Sequence, residues 1–220
     1  MSQSAAQLRR QSDCALVDAL QLRSAGQLVV IGPFNQHAKQ LRLRASLPTS
    51  HTNSYPKQGV TPIEITITFP ARYPFEAPSA KVDTQIFHPN VFANATICLG
   101  TQWSISEGLD LFIARIFRLL TYDPQLVNIH SAANSAAARW YAQLVSKTPA
   151  LFPTVSRAQA DWLYEPRRAQ AIDRKTIECS QCQQKIRLPT LPLGFTSGVI
   201  ACPSCKTDLL IDQNGNCSPS

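Results

Sequence analysis

The sequence predicts an α+β protein with a small metal-held appendage at its C-terminal end. Three observations carry that prediction. Strand-like and helix-like segments come in separate blocks rather than alternating, which argues against a doubly wound sheet. Ile63-Glu-Ile-Thr-Ile-Thr-Phe69 alternates apolar and polar residues throughout, the mark of a half-buried strand. Two C-x2-C pairs, Cys179/Cys182 and Cys202/Cys205, are separated by 19 residues, within the spacing of a four-cysteine zinc site.

The elements follow in order. Residues 4–24 read as a helix, with Leu8, Ala15, Leu16, Ala19 and Leu20 near helical spacing and Gly26 as its stop. Leu28–Ile31 is a short apolar run ending at Gly32-Pro33. Leu41, Leu43 and Ala45 alternate with Arg42 and Arg44, and Ile63–Phe69 follows. A fourth short strand spans 80–83. Successive strands joined by short connections predict an antiparallel meander. Between the last two strands lies Phe69-Pro-Ala-Arg-Tyr-Pro-Phe-Glu-Ala-Pro78, whose three prolines lack backbone donors and exclude a central strand. Residues 86–106 show no period, and a loop of that length in a compact domain is usually functional. Leu109, Phe112, Ile113, Ile116, Phe117 and Leu120 form a strong helical stripe. Further helices are predicted over 130–146 and 155–172. The composition changes near residue 176, which divides the chain into a 1–175 domain and a 176–220 appendage with a disordered tail.

Composition narrows the class. The 220 residues carry a net charge of +7, with 44% hydrophobic and 16% charged residues, so a packed core is expected and wholesale disorder is not. No apolar run approaches the roughly 18 residues of a membrane span, and no apolar run follows Arg9-Arg10 as in a secretory signal. A cytoplasmic protein without a membrane partner is expected. Residues 1–60 hold seven basic and two acidic residues. Without a dense Lys/Arg run interleaved with aromatics, this excess reads as a solvated or protein-docking face rather than a nucleic-acid surface. Seven cysteines cannot all pair, and a reducing compartment would not pair them, so thiols are expected as ligands or nucleophiles.

Cys179, Cys182, Cys202 and Cys205 fit one structural Zn²⁺. Two C-x2-C turns supply four thiolates in tetrahedral array and leave no open position for catalysis. A segment of this size buries too little surface to fold alone, so the metal would supply the missing stability. Such a ribbon could grip nucleic acid or protein, or simply cap a domain. Cys14 reads as helix packing and Cys217 as part of the tail.

Cys98 has no such partner. By itself it reads as a small buried hydrophobe between Ile97 and Leu99. Upstream, however, His88-Pro89-Asn90 places an amide able to donate to a developing oxyanion. The proline segment 69–78, His88-Pro-Asn90, Ile97-Cys98-Leu99, Trp103, Leu119-Leu120 with Asp123-Pro124, and Asn128 with Ala132-Ala133 occur in one order over roughly 80 residues. This order resembles the core of the ubiquitin-conjugating enzymes, and the Asn90-to-Cys98 spacing is the same as theirs. The resemblance implies that family's fold: an N-terminal helix, a four-stranded antiparallel meander and C-terminal helices. It also implies thioester chemistry at Cys98, with transfer of a ubiquitin-like protein to an amine such as lysine. Asn90 would shape the site and steady the oxyanion, and His88 would act mainly through loop hydrogen bonds. Phe75 resembles the aromatic through which ligases dock. Arg9, Arg10 and Arg23 lie where the family's first helix meets the activating enzyme. The implied partners are a ubiquitin-like protein, an activating enzyme, and a ligase or substrate protein held by the zinc ribbon.

The departures are specific. No carboxylate follows Asn128 where the family carries an acid beside the incoming amine; Asp110 or Asp123 could replace it only if the fold brings them close. Trp103-Ser-Ile-Ser106 replaces a proline-containing loop, and Ala95 stands where a glycine is expected. These resemble divergent members encoded in bacterial conjugation systems, with antiviral defence as the implied setting. The competing readings are an inactive adaptor of the same fold, binding protein or nucleic acid through its ribbon, and, behind these, a nucleic-acid-binding protein or a Cys98–His88 thiol peptidase.

Overall fold

The structure, a computed structural model, describes residues 5–100, 103–152, 160–164, 176–179, 181–187, 197–212 and 217–219. The chain forms two compact units, residues 1–166 and 167–220.

The first unit opens with α1 (Ala5–Arg23). Its inward stripe is Asp13, Val17, Leu20 and Ser24, one carboxylate and one hydroxyl among two aliphatics, while Leu8 on the expected apolar stripe is exposed. The helix ends where Ala25 and Gly26 take positive φ and the Leu28 N–H bonds to the Ser24 hydroxyl at 3.0 Å.

Four strands then form an antiparallel sheet: β1 (Leu28–Val30), β2 (Gln40–Ala45), β5 (Ile63–Thr68) and β6 (Ser79–Val82), in the order β1-β2-β5-β6. Alternation sets the register. Leu41 faces Ile67, Leu43 faces Ile65 and Ala45 faces Ile63, all on the buried side. The intervening Arg44 and Glu64 pair at 2.7 Å on the solvent side. A one-residue slip would expose this whole apolar set, so the pattern specifies the pairing. Between β2 and β5 lies a small hairpin that the sequence pattern does not announce, β3 (Thr49–Ser50) with β4 (Gly59–Val60). Each of its strands is two residues long, too short to show a period.

α2 (Leu109–Leu120) contributes Phe112, Ile113, Ile116, Phe117, Leu119 and Leu120 to the same core as the sheet's inner face. Each such side chain is worth about 1.5–3 kcal/mol when fully buried. α3 spans Ser135–Lys147 and starts later than the 130–146 expectation, because the Asn134 side chain caps it by accepting the Ala137 N–H at 3.0 Å. A 3-10 turn (Pro149–Leu151) and a short α4 (Asp161–Tyr164) complete the described part. The helix expected over 155–172 lies otherwise outside the described residues. A second aromatic cluster gathers Tyr55, Tyr122, Tyr141 and Phe152, with Trp140 against it.

The second unit holds the pair β7 (Thr176–Glu178) and β8 (Lys185–Arg187), and a sheet of β9 (Ser197–Ala201), β10 (Asp208–Asp212) and β11 (Cys217–Pro219) with β10 central. Residues 217–219, expected in a disordered tail, instead pair with Leu209–Ile211, since an open β10 edge offers backbone partners. The division at 166/167 also precedes the 175/176 boundary read from composition. Among the described residues no helix is long and apolar enough to cross a membrane.

Candidate active site and metal centre

The eight-residue spacing between Asn90 and Cys98 has a geometric cause. Val91 bridges Ile97 antiparallel, and the turn between them closes by Phe92 N–H to Thr96 O and Ala95 N–H to Phe92 O, both 2.9 Å. One step outward, Asn90 and Cys98 are therefore cross-strand partners. The Cys98 N–H donates to the Asn90 carbonyl at 2.7 Å. The Asn90 Nδ2 donates back to the Cys98 carbonyl at 3.1 Å. This small hairpin is itself hung on the sheet: Ile97 N–H bonds to Ala80 O and Val82 N–H to Ala95 O along the β6 edge. Cys98 is the residue at which the chain leaves that edge, and its backbone N–H and carbonyl are both held by Asn90.

Asn90 also reaches forward. Its Oδ1 accepts the Asn128 N–H at 3.0 Å, tying the 123–134 loop to the cysteine. Asn128 in turn accepts the His130 and Ser131 N–H groups. Asn90 is 4% exposed, and its amide is an organiser of the ground state.

His88 stands behind the site. It is fully buried. Its Nδ1 lies 3.0 Å from the Asn90 N–H and its Nε2 2.9 Å from the Leu119 carbonyl. These partners require the neutral ring with the proton on Nε2. Burial pushes its pKa down to about 3, against the pull of the Leu119 carbonyl. Tyr122 packs on the ring, centroids 4.5 Å apart, with its hydroxyl bonded to Ser50 and to the Phe87 carbonyl.

The Cys98 side of this framework faces a cleft of about 260 Å³, walled by Asn90, Leu99, Gly100, Arg115, Leu119, Gln125, Leu126 and Asn128. Among the described residues no carboxylate is in that wall. Asp123 is 4% exposed and takes two bonds from Arg118, at 2.8 and 2.5 Å, while its other oxygen caps the Gln125 N–H. Asp110 is 1% exposed and lies 3.9 Å from the Arg23 guanidinium. Arg115, the cation among the described residues of the wall, is paired with Glu107 at 3.1 Å. Burial raises the Glu107 carboxyl, and the Arg115 charge opposes that rise. Arg115 and Gln125 went unnoticed in the sequence because nothing there connects a helix face and a distant loop to Cys98.

The predicted docking residues fall elsewhere. Phe75 is 68% exposed, and Ile105 on the Trp103–Ser106 loop is 54% exposed. Trp103 holds this loop to the proline segment by donating to the Pro74 carbonyl at 2.8 Å. Arg9 and Arg10 are turned inward. Arg9 bonds Asp13, the Tyr73 hydroxyl and the Ile105 and Glu107 carbonyls. Arg10 bonds the Gln36 and Ala38 carbonyls and lies 4.0 Å over the Phe69 ring.

In the second unit the four cysteines converge. Their sulfurs all lie within 4.8 Å of one another, with Cys179–Cys205 and Cys182–Cys202 at 3.6 Å. That excludes disulfides, whose sulfurs sit about 2.05 Å apart, and approaches the ~3.8 Å edge of a tetrahedron with ~2.3 Å metal–sulfur bonds. The two knuckles are alike. In each the N–H four residues on returns to the first cysteine carbonyl (Gln183 to Cys179, 2.8 Å; Lys206 to Cys202, 2.9 Å), with Gln183 and Lys206 at positive φ. Cys179 and Cys202 are buried. Cys205 is drawn down to about 6, first by the Thr207 hydroxyl and then by its N–H, toward the thiolate form that ligates metals. The donor set fits a soft divalent ion.

An α+β domain with a clamped cysteine at a cleft, followed by a four-cysteine unit, is the class of protein defined so far. A family model described as ubiquitin-conjugating enzyme matches residues 42–150. The Ubiquitin-conjugating enzyme E2 2 of Mycosarcoma maydis is 30% identical over 113 residues, which is 50% of this chain and 58% of that protein. Residues 42–150 form a domain of the ubiquitin-conjugating enzyme family.

Proposed function

We propose that Cys98 accepts a ubiquitin-like protein as a thioester and passes it to an amine, most simply a lysine. The observation that carries this reading is the reciprocal Asn90–Cys98 clamp at the cleft wall, which fixes a nucleophile without engaging its sulfur. In the first step the Cys98 thiolate attacks the carbonyl carbon of an activated thioester; the new C–S bond forms and the donor's C–S bond breaks. The donor sulfur leaves as a thiolate. Exchange of thiol for thiol needs no strong base in the wall. In the second step a neutral amine attacks the same carbon, the C–N bond forms as the C–S bond breaks, and the proton lost from nitrogen passes to the leaving Cys98 sulfur or to solvent. Asn90 steadies the tetrahedral oxygen, and His88 keeps the loop in place.

The activating enzyme and ubiquitin-like protein are the partners this reading requires. Phe75 and Ile105 supply an exposed apolar pair for a ligase. Docking of the activating enzyme through Arg9 and Arg10 would require them to release their internal bonds, so we assign it to the outer face of α1. Zinc is the ion we assign to the four cysteines, and a ligase or substrate protein the occupant of the ribbon. A cytoplasmic, bacterial antiviral pathway is the setting we assign, on the departures at Ala95 and Ser104–Ser106. Genes for an activating enzyme and a ubiquitin-like protein beside this one are expected; an isolated gene would count against it.

The decisive experiment incubates the chain with an activating enzyme, ATP and the ubiquitin-like protein. A thiol-sensitive adduct is expected, a hydroxide-labile one with Cys98→Ser, and none with Cys98→Ala. An adduct persisting in Cys98→Ala would overturn the assignment.

A further inference from the structure

We infer that Arg115 is a specificity-determining residue that makes the Cys98 cleft a receptor for an acyl tail bearing an anionic side chain rather than a basic one; this rests on the thioester reading. The argument begins with the wall. Its described polar groups are the amides of Asn90, Gln125 and Asn128 and the guanidinium of Arg115, and no carboxylate accompanies them. Arg115 is held in place: Glu107 takes one of its N–H groups at 3.1 Å, its guanidinium lies 5.6 Å from the Phe112 ring centroid, and its side chain is 16% exposed. Glu107 itself is not part of the wall. A fixed cation in a half-enclosed site costs little reorganisation when an anion arrives and repels a second cation.

The tail is the substrate segment that must meet this charge. An acyl group reaching Cys98 Sγ has to lie along the cleft, and about 260 Å³ admits two or three small residues. Side chains just upstream of the terminal carbonyl therefore pass Leu99, Arg115 and Gln125, whose amide can bond the tail backbone. An aspartate or glutamate there finds a preorganised partner. A lysine or arginine meets like charge, which Glu107, bound to Arg115 from outside the wall, offsets only in part.

Two arms test this on the full chain. In the first, Cys98 is labelled with a sulfonate-bearing and a trimethylammonium-bearing methanethiosulfonate, each rate normalised to a small neutral thiol and corrected with Cys98→Ser. The anionic reagent is expected to gain about five-fold over the cationic one. Arg115→Gln should erase the preference and Arg115→Lys should keep it, which separates loss of charge from loss of fold. In the second, benzyl thioesters of short peptides ending in two glycines, with Glu, Gln or Lys before them, acylate Cys98 directly. The Cys98–carbonyl bond forms as benzylthiolate leaves. The expected order is Glu, Gln, Lys in the native chain and no order in Arg115→Gln. A preference for Lys, or an order unchanged in Arg115→Gln, would sink the proposal. If no peptide acylates Cys98 the thioester reading fails, while the first arm still decides the sign of the cleft.

Discussion

His88 has no exposed surface, and burial holds its imidazole down to about 3. In the unfolded chain the same ring titrates near its ordinary value of about 6.5. Between these values the unfolded state binds a proton that the folded state refuses, so stability rises with pH across the window and is lost as pH falls through it. The slope is at most about 1.4 kcal/mol per pH unit. Between pH 7.5 and 4.5 the urea midpoint of the native chain should fall relative to that of His88→Gln, since only the native chain loses this contribution on acidification; parallel curves would contradict it. Ala95 is a second residue under local constraint. It sits at φ 66 in the turn below Cys98, where a Cβ costs roughly 1 kcal/mol or more. Ala95→Gly should therefore raise the unfolding free energy by about 0.5–1 kcal/mol, the lost methyl contact offsetting part of the gain. A lower urea midpoint for Ala95→Gly would show that the methyl matters more.

Among the elements, α1 is anchored by polar chemistry more than by its aliphatics. Asp13 is fully buried and accepts from both the Tyr73 hydroxyl, at 2.7 Å, and Arg9 Nε, at 3.0 Å. Arg9 continues to the 105 and 107 carbonyls, so one network ties the first helix to the proline segment and to the Trp103 loop. Tyr73→Phe removes one partner of a buried carboxylate and should destabilise the first unit by about 1–3 kcal/mol. Calorimetry gives the test: an unchanged melting temperature would mean that Asp13 finds another donor. The same network explains what was legible in the sequence. β5 and α2 could be read directly, because aliphatics at period two or 3.6 bury one face. The apolar spacing of α1 finds the helix and the buried Leu20 but puts Leu8 on the inner face, since a pattern of apolar residues cannot announce a buried Asp13. The 90–98 hairpin has no period at all. Its two key residues were found by resemblance, and their register appears only when Val91 is seen opposite Ile97. Arg115 could not be found from sequence, because its relation to Cys98 exists only in the fold.

At the scale of the whole molecule, the two units are stabilised by different means. The first has a continuous core, running from Val17 and Leu20 through the sheet to Phe112, Ile116 and Phe117. In the second, the buried apolar side chains among the described residues are Ile186 and Leu209, beside Cys179 and Cys202. A segment of about 50 residues is near the size at which a metal commonly supplies stability that apolar burial does not. Four converging sulfurs would moreover repel one another as thiolates unless a cation sits among them, and Cys205 is already biased toward the thiolate. Metal binding and folding of the second unit should therefore be a single event. Hydrogen exchange of the full chain before and after a strong chelator provides the measurement. Amides that close the knuckles, those of Cys179, Gln183, Cys202 and Lys206, should lose protection by orders of magnitude. The β2–β5 ladder should keep its own, because its stability comes from aliphatic burial. Added Zn²⁺ should restore the knuckles in proportion to one ion per chain. Knuckle amides that stay protected in the chelated protein would mean that the sulfurs are packed rather than ligated, and the metal assignment would fall with them.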